Sequence, residues 1–253
     1  DQNSLSPFKG MQAAAKGSKT DIQDHGYGMA SLIKYMVKRQ GDDFPRKVFE
    51  SIKSGSKPVD AIRANGPTQT DFTWWPEYMT ALVKGEIYGF DFADMTKAAP
   101  TERQLKIEYD TDLRKSRSFT GALPDLSGQL HMVYPLYAGF ESTSTLSHRL
   151  KIEEGDKLKL FVLKAKTGEP TQLIGQGVEA NGALKFDVPD LKQIQAEGGW
   201  RLLALVTNER AVSPYTQVKN IKLQIAETDD QEQALPSKSL TARPYGVQAA
   251  GFG

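Results

Sequence analysis

The hydrophobic pattern of this chain changes period once. From position 29, Met29, Leu32, Ile33, Met36 and Val37 recur three and four residues apart, with Lys34, Lys38 and Arg39 between them. That spacing places the apolar set on one helical face, and Gly41 supplies a stop signal. A second helix is predicted where Phe44, Val48, Phe49 and Ile52 share a side, ending near Ser54 and Gly55. A short third over 59–64 ends at Asn65 and Gly66. A fourth carries Phe72, Trp75, Met79 and Leu82, with Thr70 or Asp71 as its cap and Gly85 as its end. Pro76 falls in its first turn, where a missing amide proton costs little.

After Pro100 the period becomes two. Leu105, Ile107 and Tyr109 alternate with Lys106 and Glu108. The triplets Leu130/Met132/Tyr134, Leu158/Leu160/Val162, Leu184/Phe186/Val188 and Ile221/Leu223/Ile225 do the same, and Trp200 opens a strand with Leu202, Ala204 and Val206. Turn signals at Gly155, Asn181-Gly182 and Gly198-Gly199 separate them, and no helical pattern of any length intervenes. Six or seven short strands of this kind predict an antiparallel, immunoglobulin-like β-sandwich. The expected fold class is therefore multidomain α + β, an N-terminal all-α helical array followed by that sandwich. Its segments are a lead-in over 1–20, the helical part over 21–100, the sandwich over 104–228 and a tail over 229–253. The tail is polar, then rich in Gly, Ala and Pro, as suits a mobile segment or one held only by docking on another surface.

Composition removes several classes of function. A net charge of +1 over 253 residues gives no electrostatic reason to expect a nucleic acid or an anionic membrane as partner. There is no cysteine, which excludes disulfides, thiolate metal sites and cysteine nucleophiles. No apolar run reaches the length of about 18 residues that a membrane span needs. The sequence starts at Asp1 without a methionine or a basic, apolar leader, as expected if a signal or an upstream domain has been removed. Absence of cysteine also suits an exported protein, whether periplasmic, cell-surface or secreted.

The chemistry-bearing residues are few. His25, His131 and His148 are the whole histidine inventory, and no His-x-x-x-His pair exists. His131 alternates with Leu130 and Met132, which predicts a surface or packing residue on the opposite face. His148, after the run STSTLS, is expected in a loop or at a strand start. There is no Gly-x-Ser-x-Gly elbow, no phosphate loop and no dinucleotide-binding glycine triplet. The pairs Asp110/Asp112 and Asp229/Asp230 lack the spacing of a calcium loop. Trp74, Trp75, Tyr78 and Tyr88, with Tyr134, Tyr137 and Phe140, could stack on ligands, but their spacing suits packing better.

The stretch DHGYGMASLIKYMVKRQGDD at 24–43 and TDFTWWPEYMTALVKGEIYG at 70–89 remain. Together with the helices between them, they resemble the downstream helical subdomain of the gluzincin zinc peptidases, the thermolysin-like and aminopeptidase-like enzymes. The resemblance covers residues 21–90. It implies a helical subdomain lining a peptide cleft in an exported metallopeptidase-like protein, with a peptide or protein as substrate and a sandwich as accessory. It implies that His25 donates to the developing oxyanion, held by Asp21 or Asp24, with Tyr27 as a second donor. That chemistry asks for a polarised imidazole within reach of the charge that forms. Gly26 and Gly28 would let the backbone approach substrate closely. Zinc, its ligands and the general base would come from a portion upstream of Asp1 or from a second chain, so this chain by itself has no metal ligands and should not hydrolyse peptides. The rival reading is a non-enzymatic peptide-, glycan- or protein-binding protein, with its strands and the segment 140–147 as contact surface.

Overall fold

The computed structural model describes residues 7–11, 26, 28–89, 117–133, 145–189, 191–213, 215, 217–228 and 238–239. Helices precede two sheets, and the sheets face one another as a β-sandwich, as expected from the change of period.

The helical part comprises α1 (Ala30–Gln40), α2 (Phe44–Lys53), α3 (Pro58–Asn65) and α4 (Trp75–Val83). Helix α1 buries Leu32, Tyr35 and Met36 and ends at Gly41, whose φ of 89° a side-chain-bearing residue would resist. Helix α4 is buried along almost its whole length, from Trp75 to Val83. It starts later than the sequence suggests. Asp71 does not cap it; its carboxylate instead accepts hydrogen bonds from the amide and hydroxyl of Thr73, at 3.1 and 2.8 Å, and shapes the turn ahead of the helix. Two residues placed on apolar faces by periodicity are exposed: Phe49 at 70% and Ile33 at 36%.

The strands are β1 (Arg117–Pro124), β2 (Ser127–Val133), β3 (Thr145–Lys151), β4 (Leu158–Lys166), β5 (Glu169–Gln176), β6 (Val178–Ala180), β7 (Ala183–Asp187), β8 (Arg201–Asn208), β9 (Val218–Thr228) and β10 (Lys238–Ser239). One sheet has the order β10-β1-β9-β3-β7-β6 and the other β2-β8-β4-β5. All pairings are antiparallel except the two-residue contact of β10 with β1. The β6–β7 hairpin turns on Asn181 and Gly182, whose φ values of 51° and 71° suit a two-residue turn with both central residues left-handed. A helix that the alternation did not reveal, α5 (Leu191–Glu197), inserts before β8 and buries Leu191 and Ile194 against the sandwich interior.

The four-stranded sheet lies between two cores. On β8, Leu202, Ala204 and Val206 face the six-stranded sheet, while Leu203 and Leu205 join the helices. On β4, Leu160 and Val162 face inward, and Phe161, Leu163 and Ala165 face the helical layer. Leu130 and Met132 of β2 join that outer core too, with Trp75, Tyr78 and Met79 of α4 and with Phe8. A sheet covered on both faces needs continuous apolar strands rather than alternating ones, and β8, buried from Leu202 to Asn208, is such a strand.

His148 is not at a strand start. It lies within β3, opposite Phe186 and Ile225, with Leu146 and Leu150 on the same face, and is fully buried. His131 is the packing residue its alternation suggested, buried with its ring 4.9 Å from that of Phe119. Thr145–Ser147, proposed as part of a contact loop, belong to β3, where Leu146 and Ser147 are buried.

Candidate functional site

Of the predicted site residues, Gly26 and Gly28 are described; Asp21, Asp24, His25 and Tyr27 lie outside the described residues. So do the predicted strand at 105–109, both acidic pairs, residues 12–16, Tyr134, Tyr137 and Phe140, and positions 140–144 of the proposed contact segment. Gly26 is exposed, with nothing within 4 Å of where a side chain would begin. Gly28 is buried, and its carbonyl accepts the Ser31 hydroxyl at 3.1 Å. Ser31 also shares a 2.7 Å hydrogen bond with the Tyr78 hydroxyl, which ties the start of α1 to α4. Trp74, Trp75 and Tyr78 are packed in the core; Tyr88 is 37% exposed with the Lys34 ammonium 4.6 Å above its ring.

A concavity lies beside this junction. A hollow of about 740 Å³ runs between α1 and α4, walled by Lys34, Tyr35, Val37, Lys38 and Arg39 and floored by Glu77, Thr80, Ala81 and Lys84. Ile87 closes one end, and Leu173 of β5 forms the far wall. A second hollow of about 500 Å³ shares Glu77, Thr80 and Leu173 with the first and continues past Gln176 and Gly177 to Leu184. The two form one trough across α4, from α1 to the edge of the four-stranded sheet.

Both carboxylates on the longer hollow are engaged. Glu77 accepts from Arg39, which also donates to the Tyr35 hydroxyl at 3.0 Å, and Glu86 accepts from Lys84. Burial, reinforced by the nearby Glu77 charge, pushes the Tyr35 phenol up to about 12, so it stays protonated and neutral across physiological pH. Burial raises Tyr78 as well, despite its bond to Ser31. The first hollow is therefore lined by four cationic side chains and two paired carboxylates, with Lys34 and Lys38 in no ion pair among the described residues, and the second adds Lys159 and Glu179. An apolar strip of Val37, Ala81, Ile87 and Leu173 runs through the first. Such a lining can hold a ligand by apolar contact and attract negative charge.

Sequence reasoning passed over these residues because Lys34, Lys38 and Arg39 read as a solvated helix face and 169–176 shows no clean alternation. The available signal was the adjacent pair Leu173 and Ile174, one side chain for each face of an edge strand. Zinc has no donor set here: among the described residues no group of three or more His, Asp or Glu side chains could hold a metal ion. None of the described helices is long and apolar enough to cross a membrane.

No family model and no curated protein matches the chain. Solved structures similar to part of it include three bacterial proteins. The pre-peptidase C-terminal domain of collagenase from Bacillus anthracis is 6% identical over 51% of this chain and 100% of its own, with a TM-score of 0.31. The Yersinia pseudotuberculosis-derived mitogen is 13% identical over 52% of this chain and 98% of its own, at a TM-score of 0.31. PliG of Salmonella Typhimurium, a periplasmic inhibitor of g-type lysozyme, is 9% identical over 49% of this chain and 99% of its own, at a TM-score of 0.29.

Proposed function

We propose that this chain is the non-metal-binding C-terminal portion of an exported metallopeptidase-like protein, its helical layer lining a peptide cleft and its sandwich acting as accessory. The observation that supports this reading best is the trough across α1, α4 and β5, with its apolar strip and polar rim. The zinc-binding half, with the water-activating chemistry it supplies when loaded, belongs to an upstream portion or a second chain. In the assembled protein His25, oriented by Asp21 or Asp24 and seconded by Tyr27, is the proposed donor to the oxyanion, and Gly26 and Gly28 the proposed points of substrate approach.

Nuclear magnetic resonance of the isotope-labelled chain, titrated with a mixture of short peptides from a denatured protein, tests the cleft. Shifts confined to Lys34, Lys38, Thr80 and Leu173 support it; absence of any shift, or shifts elsewhere, refutes it. A second reading, a non-enzymatic peptide-binding protein, is favoured by the trough being built entirely from elements of this chain. Zinc separates the two: the complete protein must carry it under the first reading and need not under the second. His25→Ala in the complete protein should lower turnover with little loss of zinc, and an unchanged rate would remove His25 from the mechanism.

A further inference from the structure

The hollow between α1 and α4 has two unlike ends. At one, Arg39 of α1 meets Glu77 of α4, and Glu77 and Thr80 line the second hollow too, so the first opens into it. At the other, the Lys34 ammonium lies 4.6 Å above the Tyr88 ring, and Ile87, only 7% exposed, closes the space. A peptide can run out past Arg39 but has to stop at Lys34. A groove blocked at one end fits the terminus of a chain rather than its middle.

Charge decides which terminus. Arg39 and Lys84 are neutralised by Glu77 and Glu86. Lys34 and Lys38 stand one helical turn apart on α1, both exposed and lining the hollow, without an acidic partner among the described residues. The Tyr88 ring holds Lys34 in place without cancelling its charge. Two uncompensated ammonium groups at a blind end repel an α-ammonium group and attract an α-carboxylate. Val37, Ala81 and Ile87 supply apolar surface beside them. At a C-terminal residue the carboxylate and the side chain branch from one Cα, so one can face the lysines while the other meets that surface. Within an extended segment, by contrast, an acidic side chain and its apolar neighbour point to opposite faces. We infer that the blind end of this hollow captures the C-terminal residue of a peptide, its free carboxylate held by Lys34 and Lys38 and its apolar side chain against Val37, Ala81 and Ile87. Terminal carboxylate capture is a recurring mode of peptide recognition. The inference deepens the peptide-cleft reading above and rests on it.

The test uses the chain as it exists and four peptides with a common Ser-Gly body and fluorescein on the N-terminus, followed by fluorescence anisotropy. One ends in leucine with a free carboxylate, one in leucine amide and one in serine with a free carboxylate. The fourth carries glutamate two residues before a leucine amide, which offers a side-chain carboxylate in place of the terminal one. The free leucine peptide should bind about tenfold more tightly than its amide, a gap that shrinks at high salt. It should also bind about tenfold more tightly than the serine peptide, a gap that salt leaves unchanged. The double variant Lys34→Gln, Lys38→Gln should lower its affinity to that of the amide and leave the amide's own affinity as it was. Circular dichroism of the double variant, unchanged from the parent, confirms that the loss is not lost folding. Equal binding of carboxylate and amide, equal binding of leucine and serine ends, or a glutamate peptide that matches the free leucine peptide overturns the inference while leaving the peptide cleft standing. If none of the four binds, the inference fails; if the mixed peptides above also produce no shift, the cleft fails with it.

Discussion

The joint between the helical layer and the sandwich is Trp75. Its side chain is fully buried, its indole N–H donates to the Ser127 carbonyl on β2 at 3.1 Å, and its ring lies 5.1 Å from that of Tyr78. Trp75→Ala removes the whole ring from the shared core and leaves that carbonyl without its donor. Large-to-small changes of this size cost about 3–5 kcal/mol, a sizeable part of the roughly 5–15 kcal/mol that holds a typical domain folded. At the usual scaling for chains of this size, the thermal midpoint should fall by roughly 6 to 20 °C. Because the helices and the outer face of the four-stranded sheet share one core, the loss should be felt on both sides of the joint. Urea unfolding with hydrogen exchange read by mass spectrometry follows 30–83 and 145–166 separately. In the parent the two regions should open at the same urea concentration, and in the variant both should move down together with the denaturant slope unchanged. If 30–83 opened early while 145–166 kept its parental midpoint, the shared core would not couple the layers, and the reasoning would fail.

Three further outcomes follow from buried groups. His148 is fully buried in the sandwich, and burial lowers its pKa from 6.5 to about 4 despite the opposing field of Asp187. The folded state thus resists a proton that the unfolded chain accepts below 6.5, so stability should fall as pH drops from about 6.5 to about 4, by about 3 kcal/mol in all. His148→Phe should flatten that part of the pH profile in urea melts; an unchanged slope would show that other groups set it. The Tyr215 hydroxyl donates to Asp60, which also pairs with Arg63 at 2.7 Å, and so pins the chain after β8 to α3. Tyr215→Phe should cost about 0.5–1.5 kcal/mol and speed proteolytic cleavage around 209–217, while equal cleavage rates would deny the pin. A Cβ at Gly175 would stand 2.3 Å from the Phe186 ring, so Gly175→Ala should cost about 1–3 kcal/mol by overpacking. In a Phe186→Ala background the same change should cost much less, and an equal cost would place the strain elsewhere.

Much of the fold was legible because burial on one side writes itself as period. α1, α2 and α3, the inner faces of β4, β7 and β9, and the outer face of β2 stand where spacing put them. The misreadings have physical causes. Ile33 and Phe49 fall within apolar stripes, yet those stripes are wider than the surface each helix covers. The short α5 has only two buried contacts, Leu191 and Ile194, too few to register as a period. His148 read as a loop or strand-entry residue because STSTLS precedes it, but β3 begins at Thr145 within that run and pairs with β7 and β9 through His148. The trough was hidden for a different reason: it is assembled from α1, α4 and β5, distant in sequence, and each contributes residues that are unremarkable alone.

The same packing explains why the trough is where it is. A four-stranded sheet with leucines on both faces cannot stand as half of a two-layer sandwich, since Phe161, Leu163, Leu203 and Leu205 would all meet water. The helices are therefore a required third layer, and α4, buried over nearly every residue, is the element that seals it. Over β5 the sealing is partial: Thr171 is 3% exposed and Leu173 45%, while Ile174 packs inward and the chain crosses at Gly177 to the other sheet. At Gly177 a Cβ would come within 3.0 Å of Leu184 and 3.2 Å of Leu160, so the crossing is packed tightly against the sandwich. Beside α4 the fold leaves Leu173 and the lysines of α1 lining a common hollow, the one that the peptide-cleft reading assigns to substrate.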